Sequence, residues 1–322
     1  MKIAAVIPSY NVKPFILDVL ARIPDYCDRI YVVDDKCPME SGRHVEAHTS
    51  DPRVTVIFNA ENQGVGGAVL AGFRRAFEDG ADICVKIDGD GQMDPGIMSR
   101  FTAPILNGDA DYTKGNRFYS VYTVRQMPAI RLFGNAALSF LTKLSSGYWS
   151  LFDPTNGYIA IHRKAFLRLQ SQHISKRYFF ESDMLIHLRD IDAVIKNIPM
   201  EAVYGDEESG LHIRKIFATF LFKNIRMFLR RVVYQYFLRD FNVASLNIVL
   251  FLLLTGFGVI FGGIKWSQSL YSGVPTPAGT VMVAVLPIIL GFQSLIFAVS
   301  IDVQSEPKVP LQNSSGSTPW DE

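Results

Sequence analysis

The sequence predicts an α/β domain with a mostly parallel sheet covered by helices, then basic amphipathic helices, then two membrane-spanning helices. Three observations carry this expectation. Short β-branched runs alternate with helical patterns over the first 200 residues; a cationic, aromatic stretch without acidic residues follows; two uncharged apolar segments come last. The 322 residues, 48% hydrophobic, suffice for one large domain and more. The expected boundaries are 1–210 for the α/β domain, 211–240 for the amphipathic helices, 241–302 for the two spans and 303–322 for a polar, disordered tail.

The strand runs are "KIAAVIP", "RIYVVDD", "VTVIFN" and "ICVKID", separated by helical segments such as "PFILDVLARI" and "VGGAVLAGFRRAFEDG". Such alternation builds βα units, and in open sheets of this kind ligands sit beyond the carboxyl ends of the strands. Those ends read Pro8-Ser9-Tyr10-Asn11, Asp34-Asp35 and Asp88-Gly89-Asp90. Polar groups therefore collect on one edge.

Residues 213–239 hold seven Lys or Arg and no acidic residue, mixed with Phe, Leu, Ile, Met and Tyr at helical spacing. This is the composition of helices lying in a membrane interface, where cations reach lipid phosphates. Residues 244–264 and 278–300 each carry no charge and exceed the roughly 20 residues needed to cross hydrocarbon. Basic residues crowd the first span's N-terminal side, whereas the connection 265–277 holds only Lys265, with Trp266 and Tyr271 suited to an aromatic belt. The positive-inside tendency then puts the α/β domain and the tail in the cytoplasm.

A net charge of +1 argues against nucleic acid as a partner. Cys27, Cys37 and Cys84 lack metal-ligand spacing, and their odd number suits a reducing compartment. The start "MKIAAVIPSYN" is broken by Pro8 and Asn11 too early for a signal peptide, so a folded, non-secreted N-terminus is expected.

Chemistry concentrates in "ICVKIDGDGQMDP", residues 83–95, where Asp88, Asp90 and Gln92 alternate. Two carboxylates and an amide oxygen suit Mg²⁺ or Mn²⁺, with substrate phosphates completing the coordination. A calcium loop counted from Asp88 fails, because Met93 and Ser99 stand where Gly and Glu are required. A phosphatase nucleophile would follow the first strand rather than the fourth. D-G-D-G is also good turn chemistry, but the other strand ends weigh against a turn without function. "VIPSYN" offers a ring and an amide for a flat base, and "VVDD" offers carboxylates for base N–H or ribose hydroxyls. The glycines of "NQGVGGAVLAG" miss the dinucleotide spacing, so Gly66, Gly67 and Gly72 are read as packing residues, with some nucleotide contact from the loop.

In order, "VIPSYN", "VVDD", "NQGVGGAVLAGF", "DGDGQMDP" and "GNRF" closely resemble the inverting family 2 glycosyltransferases with a GT-A fold, in particular the polyprenyl-phosphate branch. The resemblance covers about residues 1–210 and the two spans match the membrane-bound members. It implies that Asp88, Asp90 and Gln92 hold a divalent metal on the donor diphosphate, and that Pro8, Tyr10, Asn11, Asp34 and Asp35 serve the nucleotide. Asp34 would support the turn. Arg117, with Arg131 and Asn135 of "IRLFGN", would grip a lipid phosphate. "DPTNGYIAIHRKAF" resembles the segment lining the sugar pocket through Asp153, Thr155, Asn156 and Gly157, and "FFESDMLI" would face Glu181 and Asp183 toward the sugar. Catalysis would rest on Asp88, Asp90, Asp153, Arg117 and Arg131.

Two departures narrow the expectation. Val12 replaces the Glu that usually continues the first motif, and "YGDEESGLHIRKI" replaces the shorter diphosphate loop of the mannose synthases, with Ser209, His212, Arg214 and Lys215 as candidates to close over diphosphates. Both point toward the bacterial branch and a UDP-sugar donor. The implied partners are a nucleotide-sugar, a polyprenyl phosphate and membrane lipids; the family's architecture also allows a homo-oligomer. The alternatives are a relative with a lipid or glycan hydroxyl acceptor, which needs Asp183 or Glu181 as base, and a non-catalytic membrane scaffold.

Overall fold

The computed structural model describes residues 1–119, 129–201 and 213–313, with the backbone alone at 129–131 and 213–218. Two compact units result, Met1–Ile225 with Pro307–Glu322, and Arg226–Glu306.

The first unit is built on a seven-stranded sheet of order β3-β2-β1-β4-β6-β5-β7. Its strands are β1 (Ile3–Ser9), β2 (Arg29–Asp34), β3 (Val54–Phe58), β4 (Ile83–Lys86), β5 (Tyr112–Asn116), β6 (Ile159–His162) and β7 (Ile195–Pro199). Strands β1 to β4 pair in parallel, as their βα connections require. Beyond β4 the expected parallel order fails: β6 pairs antiparallel with both β4 and β5, making the sheet mixed.

Alternation along the strands feeds two cores. Ala4, Val6, Tyr31, Val33 and Cys84 face α3 (Val65–Glu78) and α7 (Phe180–Asp190). Ile3, Ala5, Ile7, Ile30, Val32, Ile83 and Val85 face α1 (Ile16–Ala21) and α4 (Met98–Leu106). Side chains fully buried on both faces contribute roughly 1.5–3 kcal/mol each, which fixes the register of the strands. Gly72 earns its place by proximity: a Cβ there would lie 2.3 Å from Val6 Cγ1, so its absence lets α3 lie against β1.

The remaining helices of this unit are α2 (Ser41–His48), α5 (Ala129–Ser146) and α6 (Arg163–Arg168), and α8 (Ile213–Val233) begins in it. Ser145 Oγ of α5 donates to Asn224 Oδ1 of α8 at 2.6 Å.

The expectation of an unstructured tail from residue 303 is corrected as far as residue 313. Residues 307–313 return to the first unit and bind the loop before β5. Leu311 joins the apolar core, Leu311 N donates to the buried Asp111 Oδ2 at 2.9 Å, and Gln312 Nε2 donates to Ile105 O and Ala110 O, both at 2.9 Å. Composition suggested a solvated tail, but the buried Asp111 carboxylate, which Val194 N alone would leave half-satisfied, supplies acceptors that composition does not reveal.

The second unit contains two long helices, α9 (Val243–Ser272) and α10 (Ala278–Gln304), of mean hydropathy 2.3 and long enough to cross a membrane. Only 17% of each apolar window is buried, unlike the core helix of a water-soluble domain. Helix α9 starts at a capping box formed by Asn242 and Ser245 and ends at Gly273, whose φ of 68° suits a left-handed cap. It runs through residues 265–272, which the sequence reading gave to the connection. Within this unit, Arg231 forks onto Asp302 at 2.6 and 3.0 Å, and Tyr236 OH donates to Asp302 Oδ1 at 2.5 Å.

Candidate active site

Because β1, β2 and β4 run parallel, their carboxyl ends reach the same edge of the sheet. A cleft of about 420 Å³ opens there, lined by Pro8, Ser9, Tyr10, Asp35, Asp88 and Asp90 among others. Ser9 Oγ is buried in it without a hydrogen-bond partner among the described residues. A ligand hydroxyl or amide could satisfy that atom.

The two carboxylates ending β2 have different tasks. Asp34 accepts from Cys37 N and Gly42 N, both at 2.7 Å, and does not line the cleft. It holds the turn into α2, in line with its expected turn-supporting role. Asp35 does line the cleft while accepting from Asn59 Nδ2 at 2.8 Å, Gln63 N at 2.9 Å and Gly64 N at 2.7 Å. Those bonds shape the loop beside it. Asn11, with a φ of 60°, is exposed, bonds through its N–H to Cys37 Sγ and lies outside the cleft lining.

At the end of β4, Lys86 Nζ stands 2.7 Å from Asp88 Oδ1 and 3.8 Å from Glu181 Oε1. Lys86 is 1% exposed; burial alone would lower its pKa, but the carboxylates of Asp88 and Glu181 raise it. Burial pushes the Glu181 carboxyl up against the opposing pull of Lys86 and Lys114. A Cβ on Gly157 would fall 2.2 Å from Lys86 Nζ and 2.9 Å from Asp88 Oδ2, so this glycine makes room for the pair. Asp90 Oδ1 accepts from Gln92 N at 2.9 Å. Gln92 therefore braces Asp90 through its backbone, and it is not among the residues lining the cleft.

Arg117, just past β5, meets Asp153. Its Nε and Nη2 donate to Oδ2 and Oδ1 of Asp153, both at 2.7 Å, and its backbone N–H adds a third bond at 3.1 Å. Asp153 is 1% exposed with a φ of 61°. Its carboxylate is taken up by Arg117 and, at 3.3 Å, by Asn156 Nδ2, beside the Thr155, Asn156 and Gly157 expected to line the sugar pocket with it. It orients Arg117, whose Nη2 also reaches Thr155 Oγ1 at 3.4 Å. Asn156 O accepts from the buried Lys114, whose pKa burial lowers to about 8. Asp183 does not face the cleft either; it is buried and accepts from Ser175 N at 2.7 Å.

Asn135 is half-buried on α5. The Arg131 side chain, Ser209, His212 and the side chains of Arg214 and Lys215 lie outside the described residues. Sequence reasoning missed Lys86 and Arg177. Lys86 was visible as the one charge inside an apolar strand run; Arg177, which lines the cleft beside Tyr178, precedes the quoted "FFESD" by only two residues.

The donor set suits a hard divalent cation held partly by substrate. Asp88 and Asp90 present carboxylates to one cleft, and among the described residues no group of three or more His, Cys, Asp or Glu forms a closed metal site.

The model of the glycosyl transferase family 2 matches residues 4–169, which include strands β1 to β4 almost entirely and the cleft residues from Pro8 to Asp90. The chain belongs to that family. It is a glycosyltransferase. A UDP-N-acetylglucosamine–dolichyl-phosphate N-acetylglucosaminyltransferase of Methanococcus voltae is 30% identical over 215 residues, 62% of this chain and 85% of that protein. An undecaprenyl-phosphate mannosyltransferase of Micrococcus luteus is 29% identical over 207 residues, 63% of this chain and 84% of the relative. Among solved structures, glucosyl-3-phosphoglycerate synthase from Mycobacterium tuberculosis with Mn²⁺, UDP and phosphoglyceric acid aligns with a TM-score of 0.52 at 19% identity, covering 71% of this chain and 78% of the other. That likeness carries the GT-A fold of the transferase.

Proposed function

We propose that this transferase moves a sugar from a UDP-sugar to the phosphate of a polyprenyl phosphate at the cytoplasmic membrane face, with inversion and with the help of Mg²⁺ or Mn²⁺. The observation that carries the reading is the gathering of Pro8, Tyr10 and Asp35 with Asp88 and Asp90 in one cleft, in a chain with two apolar helices. Relatives named for dolichyl, undecaprenyl and polyprenol acceptors support it, as do the seven cations of residues 213–239. Val12 in place of an acidic residue and the relative named for a UDP-sugar favour UDP.

Tyr10 and the unpartnered Ser9 hydroxyl serve base and ribose, and Asp35 fixes the loop that borders them. Asp88 and Asp90 would hold the divalent cation, which when bound neutralises charge on the departing diphosphate. A lipid phosphate is already anionic near pH 7, so it attacks the anomeric carbon without a strong base. Arg117, fixed by its fork onto Asp153, is oriented to hold that phosphate in line. One bond forms between phosphate oxygen and the anomeric carbon as the bond to the nucleoside diphosphate breaks. Glu181, paired with Lys86, is then not required as a base.

The test supplies the purified chain with labelled UDP-sugars, a polyprenyl phosphate and Mn²⁺, and follows label into the organic phase. Transfer that chelation abolishes is expected. Transfer to a polyprenol lacking phosphate, or equal transfer with chelator present, overturns the reading.

A further inference from the structure

Among the charged groups around the cleft, Lys86 is a buried cation that the transfer chemistry above does not use. It sits on β4, two residues before Asp88, in a strand whose other positions are apolar. Its ammonium contacts Asp88 Oδ1 at 2.7 Å and lies 3.8 Å from Glu181 Oε1, and the missing side chain of Gly157 leaves it the space. Asp88 is the more exposed partner, with 27% of its side chain open on the cleft side of the pair.

We infer that Lys86 is a positioning residue that makes divalent-metal binding depend on the nucleoside diphosphate. This rests on the metal-assisted reading above. Lys86 occupies one oxygen of Asp88 and sets its ammonium beside the cation site. Two cations sharing one carboxylate repel each other, and at short range that repulsion is substantial even in a polar cleft. The metal alone therefore binds weakly. A nucleoside diphosphate brings several negative charges, which offset the ammonium and supply the oxygens the protein lacks. Metal and nucleotide then enter as a unit, and each tightens the other by the same factor. Lys86 also fixes the rotamer of Asp88, so the carboxylate is ready when that unit arrives.

The test measures Mn²⁺ affinity of the full chain in detergent, by the electron paramagnetic resonance signal of free Mn²⁺, with and without UDP. In the wild type, UDP should tighten Mn²⁺ binding by roughly 100-fold or more. Lys86→Met should tighten binding of Mn²⁺ alone by roughly 10- to 100-fold, the scale of one like charge removed at short range. The gain from UDP should shrink by the same factor. Lys86→Arg should keep the wild-type coupling. Should Lys86→Met fail to fold, Lys86→Gln, which keeps an N–H donor to Asp88 without the charge, should shrink the gain from UDP in the same direction.

A Lys86→Met protein with wild-type thermal unfolding and unchanged Mn²⁺ affinity overturns this inference alone. A wild type that binds no Mn²⁺ even with UDP or GDP overturns the metal-assisted reading and the inference with it.

Discussion

The carboxyl ends of β2 and β4 both present paired carboxylates, and they differ in what those carboxylates touch. At β2, Asp34 and Asp35 together accept five hydrogen bonds, four from backbone N–H groups at 2.7–2.9 Å and one from Asn59 Nδ2 at 2.8 Å. At β4, Asp88 is held by one lysine and Asp90 by the N–H two residues ahead, and both face the cleft. A carboxylate surrounded by N–H donors builds backbone, whereas one paired with a single cation remains able to bind another. The same residue type at two strand ends thus holds backbone at β2 and, in the function proposed above, holds the cation at β4.

The largest effect should come from the β4 side. Asp90→Ala should lower sugar transfer roughly 100- to 1,000-fold, the scale for removing one preorganised electrostatic contact, while thermal unfolding barely moves. A large loss of stability with retained turnover would break the contrast. Asp34→Ala should behave oppositely: two buried N–H groups lose an ionised acceptor, costing about 2–4 kcal/mol of stability, with the folded fraction still active. Calorimetric unfolding beside turnover per folded molecule checks it.

Asp35→Asn should move both readouts modestly, by about 1–2 kcal/mol in stability and several-fold in KM for the nucleotide-sugar. The new amide would oppose an N–H now bonded to the carboxylate, in a residue that also borders the cleft. A change confined to one readout would assign Asp35 to one side of the comparison.

The smallest effect concerns the two buried lysines. Carboxylates answer the charge of Lys86, but burial depresses Lys114 to about 8, below the usual lysine value. Between those two values the unfolded chain binds the proton that the folded chain has lost, so stability from this group rises with pH. From pH 7 to 9, wild type should gain roughly 1 kcal/mol relative to Lys114→Met in thermal unfolding. A flat difference would show that Lys114 keeps its proton.

The sequence made the parallel half of the sheet legible because β1 to β4 are consecutive βα units whose alternation is local. The mixed half was hidden, since the β6 pairings join residues about as far apart as Lys114 and Ile159 and no local pattern encodes their direction. Asp88 and Asp90 were readable from spacing, and the structure gathers them with Pro8, Tyr10 and Asp35. The rest of the site depended on distant partners. Asp153 was readable from its motif, but its fork with Arg117, 36 residues away, was not. Gln92 was readable as a third oxygen by alternation, whereas the brace its backbone N–H gives Asp90 was not. A side chain's direction at a turn follows from backbone geometry, which spacing in the chain does not fix.

The docking of Leu311 and Gln312 on Asp111 has a consequence for the order of assembly. These contacts link positions 200 and 201 residues apart, and both long apolar helices lie between them in the chain. During synthesis, Asp111 waits without these donors until the whole hairpin has been made and the chain has turned back. The α/β unit therefore completes its fold last at this point. A chain whose hairpin goes astray is left with Val194 N as the donor to Asp111 and without the two that the returning segment brings.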